Sequence, residues 1–407
     1  MNPDLQRSLL HRLLDHKQAG TSATADAPRH QAVSVYTDPR RLADEISGLF
    51  RSSPVVVGLS ADLRECGDYR AVDVAGVPVL LVRGEDDIVR AFLNSCRHRG
   101  SPLAEGAGNT ARVLKCPYHA WCYDTDGRLL GQPLAQDAFA SSATEDLGLV
   151  SLPVAETGGL IMVAPSSTAN SFDGAEQLAG LADELAGHGF VDFSLFAEQH
   201  HTVRCNWKQP YETFLEAYHV FALHRTTLAK QIMSSPMLAD FYGPHGRGVL
   251  MGRATERALK SRDESDWSLG SSSANLVYWL FPNAILSLPM TGHAQLWLMY
   301  PDASDPGSCR VHLKFYVPAG HVDDARSSFW RRVLDYTSTI VLTEDFEQQA
   351  AIHRGLTSGS HPGLVFGRNE PALIHYHRSL DAALAQASGT SPRSASVGAS
   401  GTSGSCS

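Results

Sequence analysis

The 407-residue sequence has no basic run: 34 Lys and Arg stand against 43 Asp and Glu, for a formal charge of −9. The electrostatic footprint of a nucleic-acid-binding surface is therefore missing. Long apolar runs are also missing. The most apolar stretches, Leu160 to Val163 and Leu276 to Leu288, fall short of the roughly 18 residues a membrane-spanning helix needs, so no membrane partner is expected. Residues 1–20 have neither an apolar h-region nor a small-residue cleavage site. Their leucines, set among Asp4, Arg7, His11, Arg12, Asp15 and Lys17, predict an amphipathic surface helix. Cysteine is scarce and odd in number, seven residues at positions 66, 96, 116, 122, 205, 309 and 406, unlike a secreted disulfide scaffold. A reducing cytoplasm is the expected location. No GxGxxG fingerprint occurs, so a nicotinamide or flavin must act from another protein, and no internal repeat is visible.

What is present divides the chain into unequal parts. Residues 1–45 form a helical N-terminal segment. Residues 46–165 are rich in Val, Gly and short apolar runs and predict a small all-β domain, with strands at 72–74, 79–82, 91–93, 112–114, 121–123 and 160–163. Residues 166–385 predict an α+β domain. Its helices are expected at 175–188 and 211–230, its strands at 276–281, 284–288, 294–300 and 310–317, and a long covering helix over 322–352. In the last strand Val311, Leu313, Phe315 and Val317 share one face, expected to be core. Arg310, His312, Lys314 and Tyr316 share the other, expected to meet solvent or another subunit. Residues 386–407, almost all Ser, Gly, Ala and Thr, cannot bury enough apolar surface to order and predict a disordered tail.

Two short motifs carry the first chemistry: Cys96-Arg97-His98 and, 17 residues on, Cys116-Pro117-Tyr118-His119. Each offers one thiolate and one imidazole. Zinc fingers group Cys with Cys and His with His, whereas a Rieske [2Fe–2S] cluster takes two Cys on one iron and two His on the other. One of each per loop favours the cluster. Cys122 lies close by, but a small buried hydrophobe is its better reading.

A second set lies at Glu216, His219 and His224. At about 100° per residue, two His five apart splay by about 140° on an ideal helix. Both can reach one metal only if the 211–230 helix breaks or bulges near 221–223. A carboxylate would complete a two-His, one-carboxylate iron site with open positions for O2. Asp345 is the best placed, with Glu344, Glu347 and Asp335 as competitors.

With both sites in view the chain resembles the catalytic (α) subunits of Rieske non-haem iron oxygenases, the aromatic ring-hydroxylating dioxygenase family. The resemblance spans roughly residues 45–385. It rests on Cys96-Arg97-His98-Arg99-Gly100, Cys116-Pro117-Tyr118-His119-Ala120-Trp121, Asp126-Gly127-Arg128-Leu129, Asn206-Trp207-Lys208, Glu216-x-x-His219-x4-His224 and Glu344-Asp345 with Gly355-Leu356. The resemblance implies a Rieske domain followed by a helix-grip catalytic domain, an antiparallel sheet under a long helix. It also implies a head-to-tail homotrimer in which the cluster at Cys96, His98, Cys116 and His119 serves the neighbour's Fe(II) at His219, His224 and Asp345. Glu216 would then bridge His119 of the partner subunit to His219. NAD(P)H electrons would arrive through a separate reductase, with or without a ferredoxin. Where the family often has Asp this chain has Glu216, as in the subgroup acting on carnitine, glycine betaine and various aromatic substrates. Thr213, Ala350 and His353 also depart from the common pattern.

The expected activity is that of a terminal oxygenase that uses O2 to hydroxylate, dihydroxylate or demethylate an aromatic compound. The pocket candidates are Trp267, Tyr278, Trp279, Phe281, Leu286, Leu288, Trp297 and Met299. A quaternary ammonium compound, held by cation–π contacts, is the alternative substrate. A Rieske electron carrier and a zinc-stabilised binding module are the non-enzymatic alternatives.

Overall fold

The computed structural model describes residues 1–135, 139, 147–322 and 324–389. The chain is α+β. Val-rich segments build a five-stranded antiparallel sheet ordered Ser151–Leu152, Val89–Leu93, Val77–Arg83, Asp68–Val74 and Ala107–Asn109. A three-stranded sheet, Val154–Thr157, Leu160–Val163 and Val55–Leu59, packs with it. A small meander, Leu114–Lys115, Cys122–Tyr123 and Leu129–Gly131, stands apart on its own core of Leu80, Phe92, Trp121 and Tyr123.

The second half is one seven-stranded antiparallel sheet. Its order is Phe193–Val203, Asp305–Pro318, Ala294–Asp302, Ala284–Leu288, Asn275–Leu280, His245–Gly252 and Ile232–Tyr242. Strict alternation explains the long strand Asp305–Pro318: Val311, Leu313, Phe315 and Val317 are all fully buried, as a period-two pattern requires. The helices Asp324–Ile340 and Glu347–Leu356, joined by a π-helical segment Val341–Phe346, cover the sheet. The N-terminal helix Pro3–Ala19 buries Leu9, Leu10 and Leu13 and is tied to the seven-stranded sheet by Arg12 on Asp240. Among the described residues no helix is long and apolar enough to cross a membrane.

Three expectations need correcting. The 211–230 helix does not form. A short helix Lys208–Glu212 stops, and two 3-10 turns, Tyr218–Phe221 and Leu228–Lys230, follow. The expected helix over 175–188 is split into Gly174–Gln177 and Ala182–Ala186, because Ala179 and Gly180 both take positive φ. The second face of strand 310–317 is not a solvent face at Lys314 and Tyr316. Both are buried against the first domain, where Lys314 Nζ meets Asp62 at 2.6 Å and the Tyr316 hydroxyl donates to the same carboxylate at 3.0 Å. Apolar alternation locates a core face but is blind to a charge that is paired across a domain contact. The expected tail falls, from residue 390 on, outside the described residues. The last helix, Pro371–Ala387, runs into its start.

Candidate metal centres

The two Cys/His motifs fold into matching loops. In the first, the Cys96 N–H donates to Ser101 O at 2.8 Å and the Gly100 N–H to Cys96 O at 2.8 Å. In the second, the Cys116 N–H donates to Trp121 O at 2.8 Å and the Ala120 N–H to Cys116 O at 3.1 Å. Both loops thus close from residue i to i+5 and place a left-handed residue at i+4, Gly100 (φ 76°) and Ala120 (φ 58°). Glycine suits that conformation, and Ala120 adopts it against its steric preference.

The loops bring the imidazoles together with Nδ1 of His98 and Nδ1 of His119 3.1 Å apart, while both cysteines are buried. Trp121 stacks on His98 at 5.0 Å between centroids and fixes its ring. The Tyr123 hydroxyl lies 3.3 Å from Cys96 Sγ. Burial raises the Cys116 thiol pKa, but the backbone N–H groups of His119 and Tyr118 outweigh it, and the thiol sits below its ordinary value. Two converging nitrogens over two buried sulfurs, one held in amide dipoles, suit a mixed-ligand iron–sulfur cluster. Cys122 takes no part. Its thiol turns back on Ala120 O.

The second centre depends on the broken helix. After Glu212 the chain unwinds, so the 3-10 turn at Tyr218–Phe221 carries His219 and the loop beyond it carries His224. His224 Nε2 lies 3.1 Å and His219 Nε2 3.5 Å from the same Asp345 oxygen, and the ligand atoms of all three fall within 4.8 Å of one another. Each Nδ1 is engaged elsewhere. His219 Nδ1 meets Glu216, whose other oxygen accepts the His219 backbone N–H at 3.1 Å. His224 Nδ1 meets Glu344 Oε2 at 2.6 Å, and the Thr227 hydroxyl donates to the same oxygen at 2.8 Å. Carboxylates on the far nitrogens hold both rings with Nε2 free to face a metal, the usual arrangement behind a ligating His.

Asp345 is 3 % exposed, and its ion-pair partners among the described residues are His219 and His224 alone. Burial depresses the His224 pKa, but Asp345 and Glu344 outweigh it and raise it. A buried carboxylate facing two imidazoles, with no Lys or Arg against it among the described residues, is a site that fits a cation. The donor set, N2O on one side, suits iron(II). Of the competing carboxylates, Glu344 sits behind His224 rather than beside Asp345, a distinction that sequence order alone does not carry. Thr213, one of the departures from the common pattern, accepts from the Gln349 amide at 3.1 Å, and His353 pairs with Gln209 at 2.8 Å.

Among the described residues a second mixed group, Glu198, His200 and His312, also brings ligand atoms together. There Arg70 already holds Glu198 at 2.6 Å, and Lys314 lies close enough to lower its pKa further. That carboxylate is already paired.

Beside His219, His224 and Asp345 opens a cavity of about 260 Å³. Val220, Leu228, Ile232, Leu250, Val277 and Val341 form its apolar side, Phe214 and Tyr336 its aromatic side, and Thr291, His293 and Gln295 a polar wall. No Lys or Arg lines it among the described residues, and its acids are Glu216 and Asp345. None of the eight expected pocket residues lines it. Trp279 instead lies flat over Gly246 and Gly248, where a Cβ would approach its ring to 2.4 and 2.6 Å, and its indole donates to Phe214 O. Large aromatics in strands are more often core than cavity wall, and here they are core.

Comparison with known proteins matches residues 53–147 to the Rieske [2Fe-2S] domain and residues 190–386 to the ring hydroxylating alpha subunit (catalytic domain). The carnitine monooxygenase oxygenase subunit of Escherichia coli K12 is 26% identical over 361 residues, 85% of this chain and 91% of that protein. The glycine betaine monooxygenase oxygenase subunit of Chromohalobacter salexigens is 35% identical over 221 residues, 52% of this chain and 48% of that one. Biphenyl 2,3-dioxygenase subunit alpha of Rhodococcus jostii is 30% identical over 191 residues, 46% and 41% of the two chains. Among solved structures, a quaternary ammonium Rieske monooxygenase with L-carnitine superposes with a TM-score of 0.72 at 21% identity, covering 86% of this chain and 94% of that one.

Proposed function

Because this chain belongs to the Rieske non-haem iron oxygenases as a catalytic α subunit, we propose that it oxygenates a small quaternary ammonium compound. The observation that carries this reading is the cavity beside His219, His224 and Asp345, which joins an apolar and aromatic surface to two carboxylates and, among the described residues, has no cationic side chain. A trimethylammonium group is a cation with a greasy surface. It gains dispersion from Val220, Ile232 and Val277 and cation–π attraction from Tyr336 or Phe214. A neutral aromatic ring gains the same dispersion but no attraction to the carboxylates. The aromatic substrate expected from sequence is thus less well supported than its alternative. The relatives that act on carnitine and glycine betaine support the same choice.

In this reading Cys96, His98, Cys116 and His119 hold the [2Fe–2S] cluster, and His219, His224 and Asp345 hold the mononuclear iron. When bound, the cluster supplies single electrons and the iron supplies oxygen activation. Glu216 fixes the His219 ring through Nδ1, and Glu344 with Thr227 fixes His224. Glu216 would also couple the two centres across subunits, with His119 of the partner subunit as its other contact in a head-to-tail trimer. Electrons come from NAD(P)H through a separate reductase.

The test is substrate-dependent O2 uptake by the purified protein with a reductase and NADH, against betaines, choline-like compounds, aromatic hydrocarbons and aromatic acids. Uptake coupled to a hydroxylated or demethylated product from the quaternary ammonium compounds supports the reading. Coupling only to the aromatic compounds overturns it.

A further inference from the structure

The polar wall of the cavity is the end of a chain of hydrogen bonds that starts in the core behind it and whose direction is forced from that start. It begins at Trp297, fully buried, whose indole Nε1 is a donor and cannot accept. Its partner, 3.2 Å away, is Gln295 Oε1, so the amide is oriented with Nε2 pointing the other way. Gln295 Nε2 lies 2.7 Å from His293 Nε2. An amide nitrogen only donates, so His293 Nε2 must accept and the ring proton must sit on Nδ1. His293 Nδ1 in turn lies 2.6 Å from Thr291 Oγ1, which therefore accepts. A hydroxyl that accepts from a ring N–H keeps its own proton to give. Among the described residues no acceptor for that proton is present.

The rest of the wall makes the arrangement rigid. His293 is 2 % exposed, lies flat against Phe315 at 4.4 Å and meets Trp330 edge-on at 5.9 Å. Burial lowers its pKa to about 3, which keeps the imidazole neutral and the chain one-way. Thr291 stands at the tip of the hairpin between strands 284–288 and 294–302, in a turn closed by the Gly292 N–H on Pro289 O at 3.0 Å. It is exposed at the cavity wall.

We propose that Thr291 is a specificity-determining residue, an obligate hydrogen-bond donor that selects substrates carrying an oxygen acceptor in addition to the group that is oxidised. Trp297, Gln295 and His293 are positioning residues that set the sense of that donor. The recognised chemistry is an acceptor oxygen, a carboxylate or a hydroxyl. The proposal deepens the quaternary ammonium reading and, for its choice of probes, rests on it.

The experiment compares wild type, Thr291→Val and Thr291→Ser holoenzyme. Anaerobic calorimetric affinities and KM and kcat are measured for glycine betaine, choline and tetramethylammonium, which carry a carboxylate, a hydroxyl and no oxygen. The expected result is that Thr291→Val weakens binding and raises KM about tenfold for an oxygen-bearing probe. The loss for tetramethylammonium is much smaller, and Thr291→Ser restores the wild-type values. Which probe responds distinguishes carboxylate from hydroxyl. Equal affinities in wild type and Thr291→Val for all three probes overturn the proposal while leaving the quaternary ammonium reading intact. If wild type neither binds nor oxidises any of them, that reading fails. The same variants are then compared on toluene and benzyl alcohol, where a Thr291→Val loss confined to the alcohol upholds the donor role and its absence overturns it.

Discussion

Glu344→Gln is the substitution that most sharply separates a residue that holds the metal from one that holds a ligand. Glu344 accepts from His224 Nδ1 at 2.6 Å and from Thr227 at 2.8 Å, while Asp345 faces both Nε2 atoms. Gln keeps the size and one acceptor oxygen but removes the charge that polarises the imidazole. Loss of such a partner costs about 10- to 100-fold in metal affinity, equivalent to about 1.4–2.7 kcal/mol. Asp345→Asn removes the charge of the proposed ligand and should cost more. The assay is iron retained per chain against a graded series of chelators, with acid-labile sulfide as the internal control for the cluster. The expected order of retention is wild type, then Glu344→Gln, then Asp345→Asn, with sulfide constant. Identical curves for wild type and Glu344→Gln refute the positioning role. Identical curves for the two variants make Glu344 a ligand and refute the assignment of the triad.

Two further outcomes follow from buried groups. Lys314→Met should destabilise the protein by about 3 kcal/mol in urea unfolding, because it leaves Asp62, whose side chain is 1% exposed, to Tyr316 and to Arg70 at 3.6 Å. Asp62→Asn combined with Lys314→Met should recover more than half, and a single-variant loss below about 1 kcal/mol contradicts the pairing. Acid should also destabilise the fold above the usual carboxylate range. Burial depresses the folded pKa of His245 to about 4 and of His293 to about 3, from an ordinary 6.5. The unfolded chain takes up these protons below pH 6.5 and the folded one does not. Their contribution is therefore complete above pH 6.5 and is lost as pH falls toward the folded values, at up to about 1.4 kcal/mol per group per pH unit. A urea midpoint that stays flat from pH 6.5 to 5, or His245→Gln with an unchanged slope, contradicts this.

The parts of the molecule legible in the sequence were those encoded by short-range pattern. Cys96, His98, Cys116 and His119 announce themselves because each loop carries both ligand types within four residues. The alternation over Val311–Val317 gives a fully buried face. The spacing of His219 and His224 signals that a regular helix cannot carry both to one metal. What it does not reveal is how the helix fails, since the chain leaves the helix after Glu212 and never resumes it up to His224. The helix irregularity lies instead in the covering segment Val341–Phe346, where Glu344 and Asp345 reach the two nitrogens of one imidazole. The cavity wall was not legible. Its lining comes from residues such as Thr291 and Gln295, which have no sequence signature, whereas the conspicuous Tyr278, Trp279 and Trp297 serve the core. Lys314 misled for the same reason, because its partner Asp62 lies 252 positions away.

The central claim, two distinct metal centres on one chain, is tested most directly by counting iron and acid-labile sulfide in anaerobically purified protein, beside a His219→Ala, His224→Ala double variant. The account predicts about three irons and two sulfides per chain in the wild type, and about two of each in the variant with the Rieske spectrum unchanged. Two irons in the wild type, or zinc without sulfide, would contradict it.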